Sequence, residues 1–437
     1  MTGQYIICEL PELTPIEGAD RIVQATIFGE TVIISSDHKQ GEKGLLFDCE
    51  TVLSKEYLHN NNLYRHSHLN KDPEKQGYFD DNGRVRPIRL KGVKVSGFWM
   101  PLSSVDYCGV FPSEFKVGEQ GNNIGGQPIC MKYITPASRR VMNGKEGKAR
   151  VNLTPTFKEH IDTDQLARNL DKVKGSVIIT EKLHGTSSRC GNLPVIRKKS
   201  WFERLINLLG IPTLETEYKF VVGSRRTVKS IDGTVYSRAG FYAEDIWTST
   251  AKEHFEDKLE KGETVYYEIV GNLPSDIPIM PSQSNKKLEK FMSKKDYEEF
   301  IKLFGEFTDF TYNCEPSECQ IYVYRITMTN EDGVSIDYSW EQVKNRSEQL
   351  GVKHVPHLLT IHTDPENENS EFVMEIADKL SGEHSKNFPN HIREGVCIRI
   401  EDGKYIPTIL KHKSYIFKVL EGIIKDSKDV IDLEEVN

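Results

Sequence analysis

The chain has 437 residues, 37 % hydrophobic and 28 % charged, with a formal net charge of −8. That length exceeds what one core usually spans and predicts two or three domains, and the composition is that of a globular protein rather than a disordered or fibrous one. No apolar run approaches the ~20 residues that cross a bilayer, no secretory signal is expected from the first residues, and the net acidity excludes indiscriminate polyanion binding, so nucleic-acid contact would need local basic clusters.

In chain order, the first hundred residues read as β structure. Gln4–Leu10, Arg21–Phe28 and Thr31–Ser35 are β-rich, with Gly29-Glu30 predicted as a hairpin turn. A further β segment runs from Arg84 to Met100. Short strands with glycine turns predict a small barrel. Arg84, Arg86, Arg89 and Lys94, with Phe98 and Trp99 beside them, are its candidate nucleic-acid contacts. The glycine- and proline-rich stretch from Tyr107 to Leu153 reads as linker plus a mobile segment. A helix is predicted near Asp162–Leu170, capped by Asp162, Thr163 or Asp164. A second helix is predicted at Trp201–Leu209, its apolar stripe packed on the domain, and a third within Lys286–Phe307. The eight cysteines are scattered without a zinc spacing and read as reduced thiols in a cytoplasmic protein.

The chemistry-bearing residues begin at Lys182. It lies in Glu181-Lys182-Leu183-His184-Gly185-Thr186-Ser187, directly after the apolar run Gly175–Thr180. A lysine at a strand end can attack the α-phosphate of a nucleotide, and a nearby glycine lets the backbone approach the ligand. Alone the motif is weak, since chance supplies it in roughly one in three chains of this length. Four further pieces follow in order. They are Gly223-Ser224-Arg225-Arg226, Tyr267-Glu268-Ile269, Tyr322-Val323-Tyr324, and the pair Arg393-Glu394-Gly395 with Lys411-His412-Lys413. Each lies in or beside a β-rich run, where residues i and i+2 share a face. Lys411 and Lys413 therefore point one way, and Tyr322 and Tyr324 are expected to share a face. Any one of these residues alone fits a surface or core position equally well; the joint order carries the reading.

That order resembles the covalent nucleotidyltransferases, the superfamily of polynucleotide ligases and messenger-RNA capping enzymes. The histidine-containing Lys182-Leu183-His184-Gly185 is similar to the first motif of ATP-dependent RNA ligases. DNA ligases usually carry arginine where this chain has Ser187. The 24 residues after Lys413 leave no room for the trailing OB domain of DNA ligases and capping enzymes. The order resembles the fifth class of RNA ligases, with an N-terminal OB module. The resemblance implies an α+β fold: an antiparallel-rich, ATP-grasp-like nucleotidyltransferase domain over residues 154–437, preceded by an OB barrel at 1–105 and a linker at 106–153. It also implies a monomer that joins the 3′-hydroxyl and 5′-phosphate ends of nicked RNA, with no membrane partner.

By the same resemblance, Lys182 forms lysyl-AMP from ATP, with Mg²⁺ or Mn²⁺ as cofactor. Lys411 and Lys413 contact the α-phosphate. Glu394 and Glu268 hold the metal or its waters, and Glu268 can instead meet the ribose. Arg225, with Arg226 as its rival, reaches the ribose or the RNA strand. Tyr322 or Tyr324 stacks on adenine, and Glu181 reads the base edge. Many relatives carry aspartate at the place of His184, so this histidine is expected to orient Lys182 or a substrate end. A GTP-using capping enzyme and an inactive RNA-binding protein are the alternatives.

Overall fold

The strand Gly175–Lys182 is buried on both faces. Val177 and Ile179 enter one apolar cluster with Val396, Ile398, Ile400 and Leu410, while Ile178 enters a second with Trp247, Tyr267 and Val323. Such a continuous apolar run suits the middle of a sheet covered on both sides, each large side chain contributing about 1.5–3 kcal/mol. The computed structural model describes residues 3–111, 114–143, 154–161, 163–236, 244–363 and 370–425. It is a mixed α/β architecture of mostly antiparallel sheets.

Gly175–Lys182 sits fourth in a five-stranded sheet, after Asp164–Gln165, Thr408–Lys413 and Gly395–Glu401 and before His357–Thr363. The helix Ser370–Ser381 packs on that sheet through Val373 and Ala377. After Lys182 the chain crosses to a second, larger sheet. There Thr186–Ile196 lies between Thr216–Ser224 and Glu263–Gly271, and Cys319–Thr329 follows. Leu183–Gly185 is thus the only covalent span between Lys182 and Thr186, and it bridges two sheets.

Tyr5–Glu9, Lys43–Asp48, Gly97–Pro101 and Gln120–Gly121 form a four-stranded N-terminal sheet. Beside it lies a three-stranded one containing Ile22–Ile27 and Glu30–Ser35. Among the described residues these sheets do not close into one hydrogen-bonded barrel. The hairpin turn falls on Phe28-Gly29, both at positive φ, not on Gly29-Glu30; Glu30 already pairs in the strand. Gln120–Gly121 and Cys130–Lys132, expected in a linker, pair with Tyr5–Ile6 and Thr51–Leu53.

The helix expected near 162–170 is absent among the described residues; Asp162 lies outside them. Asp164–Gln165 is extended and pairs with Leu410–Lys411, and only short 3₁₀ turns follow at Leu166–Arg168 and Leu170–Lys172, interrupted by Asn169 at φ −139°. The Lys286–Phe307 stretch is helical in two pieces, Asn285–Phe291 and Lys294–Phe304. Trp201–Leu208 is a helix as predicted, but its apolar stripe faces solvent rather than the domain.

The N-terminal sheets meet the catalytic sheets across a seam of buried charge. The Arg168 guanidinium donates to Asp48 at 2.9 Å, both side chains 2 % exposed, and Gln165 donates to the same oxygen at 3.0 Å. Lys418 donates to Glu30 at 2.7 Å. Three of the four basic N-terminal residues predicted to contact nucleic acid also turn to this seam. Buried Arg84 lies over the Tyr133 ring and faces the Gly422 carbonyl at 3.4 Å, Arg89 donates to the Met292 carbonyl at 2.8 Å, and Lys94 lies 5.8 Å from the Tyr415 ring. Arg86 pairs with Asp80 at 2.7 Å. Trp99 and Phe98 pack in N-terminal clusters rather than forming a stacking platform. No helix among the described residues is long and apolar enough to cross a membrane.

Candidate active site

Strand pairing builds the site. Lys182 stands opposite Gly395, and Gly395 stands opposite Lys413. Three adjacent strand ends therefore bring together Lys182, Glu394 and Lys413. The Lys182 ammonium lies 2.8 Å from Glu394 Oε1, and the Lys413 ammonium lies 3.2 Å from the same atom. His184 Nδ1 lies 3.4 Å from Oε2. Glu394 is 1 % exposed. Burial alone would raise its pKa; Lys182, Lys413 and His184 outweigh burial and hold the carboxyl well below the usual carboxylate range. Its two oxygens accept no hydrogen bond of good geometry, despite these ion pairs.

Lys182 opens on a cleft of about 110 Å³ between the two sheets. Glu181, Ser187, Arg225, Glu268, Tyr324 and Lys411 also line it. The Ser187 hydroxyl donates to Glu268 at 2.9 Å. Strand alternation places Lys411 and Lys413 on one side of their strand, and His412 between them reaches Asp378 at 3.1 Å. Glu181 accepts the Lys386 backbone N–H at 2.8 Å and lies 3.6 Å from Arg393. Arg226 does not line the cleft. Cys397 does, but burial pushes its thiol up to about 11, so it is a poor nucleophile at neutral pH.

The tyrosines do not share the cleft. Tyr266 pairs with Arg325 but Tyr267 pairs with Val323, so Tyr324 is an extra residue in a β-bulge. A bulge re-aims side chains. Tyr324 turns into the cleft, its hydroxyl 3.1 Å from His160 Nδ1. Tyr322 lines a separate groove, where its hydroxyl donates to Gln320 at 2.8 Å and Lys353 lies over its ring.

Gly185 has a packing reason. A Cβ there would stand 2.3 Å from the Ile269 carbonyl oxygen, and one at Gly395 would stand 2.2 Å from the His412 oxygen. Either methyl would force the two sheets or two strands apart.

Four partners carried no motif signal. The Tyr312 hydroxyl accepts the His184 backbone N–H at 2.8 Å, and the rings of Phe310 and Phe417 hold the His184 ring edge-on. Glu421 receives the Lys413 ammonium at 2.9 Å. Phe417 and Glu421 had a readable signal, being four residues apart on the helix after Lys413 and so on one face. Nothing in the local sequence singles out Phe310 or Tyr312.

The residues fit a divalent cation of limited kind. Glu394 keeps lone pairs unused by hydrogen bonds, but no cluster of three or more His, Cys, Asp or Glu exists among the described residues. Such a donor set suits Mg²⁺ or Mn²⁺ held largely by water and phosphate. When bound, that cation would neutralise phosphate charge.

A lysine opening on the cleft, a buried carboxylate against it and a second cationic strand are the parts that the resemblance to covalent nucleotidyltransferases leads one to expect. Residues 175–420, more than half the chain, match the RNA ligase family model. The chain belongs to the RNA ligase family, and it is an RNA ligase of the nucleotidyltransferase superfamily. A search among curated proteins finds no match. The fold is similar to that of Naegleria gruberi RNA ligase. A substituted, ligand-free form matches with 18 % identity and a TM-score of 0.55, over 96 % of this chain and 98 % of that one. A form with ATP and Mn matches at 17 % and 0.56, over 95 % and 98 %. A form with PPi matches at 18 % and 0.56, over the same shares.

Proposed function

We propose that this RNA ligase is ATP-dependent and works through lysyl-AMP on Lys182. The carrying observation is the convergence of Lys182, Lys413 and His184 on one buried carboxylate, with Lys182 opening on the cleft. The solved complexes of the similar Naegleria enzyme with ATP and Mn support the choice of nucleotide and metal. In the first step the Lys182 nitrogen bonds the α-phosphorus, the bond to pyrophosphate breaks, and the amine's proton passes to solvent. In the second, a 5′-phosphate oxygen of RNA takes the AMP and the nitrogen–phosphorus bond breaks. In the third, a 3′-hydroxyl oxygen bonds the 5′-phosphorus and AMP leaves.

The chain's residues take the following roles in this reading. An ordinary lysine has a pKa of about 10.4, so only roughly one in two thousand is neutral at pH 7. Glu394 stabilises the Lys182 ammonium and so guards the resting, protonated state; engaging Glu394 elsewhere frees the amine to deprotonate. Glu394 and Glu268 are the residues for the metal or its waters. Lys411 and Lys413 neutralise the α-phosphate, and such positioning dominates phosphoryl transfer. Arg225 meets the ribose or the RNA end, Glu181 lies toward the base, and Tyr324 rather than Tyr322 stacks on it. His184, seated between Phe310 and Phe417, orients the Glu394 carboxylate. The substrate is nicked duplex RNA, an OB-like N-terminal module whose Arg84–Lys94 stretch faces the seam precedes a catalytic unit from about residue 154, and the enzyme is a cytoplasmic monomer; eight free cysteines agree with a reducing compartment.

The test is incubation with labelled ATP or GTP and Mg²⁺, followed by a denaturing gel. ATP should label the chain through an acid-labile bond, and Lys182→Ala should abolish the label. Undiminished labelling of that variant, or preference for GTP, overturns the reading.

A further inference from the structure

The excursion between the strands Thr186–Ile196 and Thr216–Ser224 is built the wrong way round for a globular protein. Its helix, Trp201–Leu208, starts with a capping box between Ser200 and Glu203. Helical spacing gathers Trp201, Phe202, Leu205, Leu208 and Leu209 on one arc and Glu203, Arg204 and Asn207 on the other. In most surface helices the apolar arc faces the core. Here two polar side chains are the ones with partners: Glu203 binds Arg197, and Asn207 accepts the Thr213 hydroxyl at 3.0 Å. Ile206, at the edge of the apolar arc, is half-buried; the rest is bare, with Trp201 76 %, Leu208 83 % and Leu209 74 % exposed, and Leu214 extends it at 76 %. The other three tryptophans are at most 3 % exposed. A contiguous apolar patch of this kind marks a surface that something else covers.

We propose that this helix docks on an anionic lipid surface. Charge complementarity and composition select that occupant. Arg197 and Lys199 are neutralised by Glu203 and Glu215, whereas the exposed Lys198 and Arg204 form no ion pair among the described residues. The patch is therefore locally cationic on a chain whose net charge is −8. Tryptophan, phenylalanine and leucine on one face with lysine and arginine beside them is the pattern of a helix lying in a headgroup layer. A second copy would bring the same two cations against themselves. RNA would find two aromatic rings but would gain nothing from the aliphatic majority of the patch. The reading revises the sequence-based expectation of no membrane partner: the helix lies on a bilayer and does not span it.

Trp201 is its own reporter, because the remaining tryptophans are buried. The experiment adds phosphatidylcholine vesicles, with and without phosphatidylserine, to the full-length enzyme and follows tryptophan emission and co-sedimentation. Phosphatidylserine vesicles should blue-shift the emission and carry the protein down. Trp201→Ser with Leu208→Ser should weaken binding at least about tenfold, and Lys198→Glu with Arg204→Glu by about fivefold, as added salt should. Nick sealing should be unchanged in both variants, which also checks their folding; the wild-type shift stands as a test without either. No binding to either vesicle, or binding that ignores both pairs of substitutions, overturns the proposal. So does a shift that follows protein concentration with dimer formation in the ultracentrifuge, or one produced by duplex RNA without lipid.

Discussion

Two regions of this enzyme bury charge, and they do it differently. In the seam, Asp48 receives hydrogen bonds from both Arg168 and Gln165. In the active site, Glu394 is held by two ammoniums and a histidine yet accepts no well-formed hydrogen bond. A buried pair of this kind is a structural joint, and breaking it leaves an uncompensated charge. A carboxylate oxygen shared by two ammoniums can keep one while the other moves, which suits the role proposed above for Glu394. The same residue types thus serve rigidity in one place and exchange in the other.

The comparison breaks most visibly at Glu394. Glu394→Ala and Lys411→Ala should each slow adenylylation by at least about a hundredfold, since an aligned charge at such a site is worth about 3 kcal/mol or more. Single-turnover labelling measures this, and circular dichroism should show an intact fold. Rates near wild type would place the reacting phosphate elsewhere.

Arg168→Ala should do the reverse. Losing one partner of a buried pair costs about 3–5 kcal/mol, so urea denaturation should show a large loss of stability. Labelling per folded molecule should stay within about twofold. Loss of labelling at unchanged stability would mean that the seam is part of the catalytic machinery.

The strand supplying the 3′-hydroxyl should be RNA. Matched nicks with ribose or deoxyribose at that end should differ in sealing rate by about tenfold, because the 2′-hydroxyl is what distinguishes the two. Equal rates would detach the Arg225 side of the cleft from the substrate end.

The smallest effect sharpens the division of the tyrosines. Tyr322→Leu should leave the KM for ATP within about twofold, because its ring lies in a separate groove, whereas Tyr324→Leu should raise KM by about tenfold through lost stacking. Equal effects would return both rings to the base.

What was legible follows from strand period. Lys182, Lys411 and Lys413 could be placed from sequence because strands carry them and alternation then decides which side each faces; Glu394 stands one residue before its strand and follows from that strand's start at Gly395. Tyr322 and Tyr324 failed that argument because a single bulged residue shifts the register, and nothing near Tyr324 announces it. The basic stretch at Arg84–Lys94 was visible as charge, but charge does not say which surface it faces; the Gly422 and Met292 carbonyls that receive Arg84 and Arg89 lie more than two hundred residues away. The helix at Trp201 was legible as an element and wrong in its orientation, because the rule that apolar faces turn inward holds only where a core is available. The predicted helix near Asp162 gave way to an extended pairing with Leu410–Lys411 that no local propensity encodes.

The close approach of Gly185 to the Ile269 carbonyl has an evolutionary side. Glycines in this chain are not equally replaceable: at Gly382 the nearest heavy atom to an added Cβ is 3.6 Å away, whereas at Gly185 it is a backbone oxygen at 2.3 Å. In a library randomised at both positions, selection for RNA sealing should return many residues at 382 and glycine alone at 185. The neighbourhood of Lys182 is then frozen by a carbonyl belonging to another strand, and drift in the rest of the motif has to proceed around that one contact.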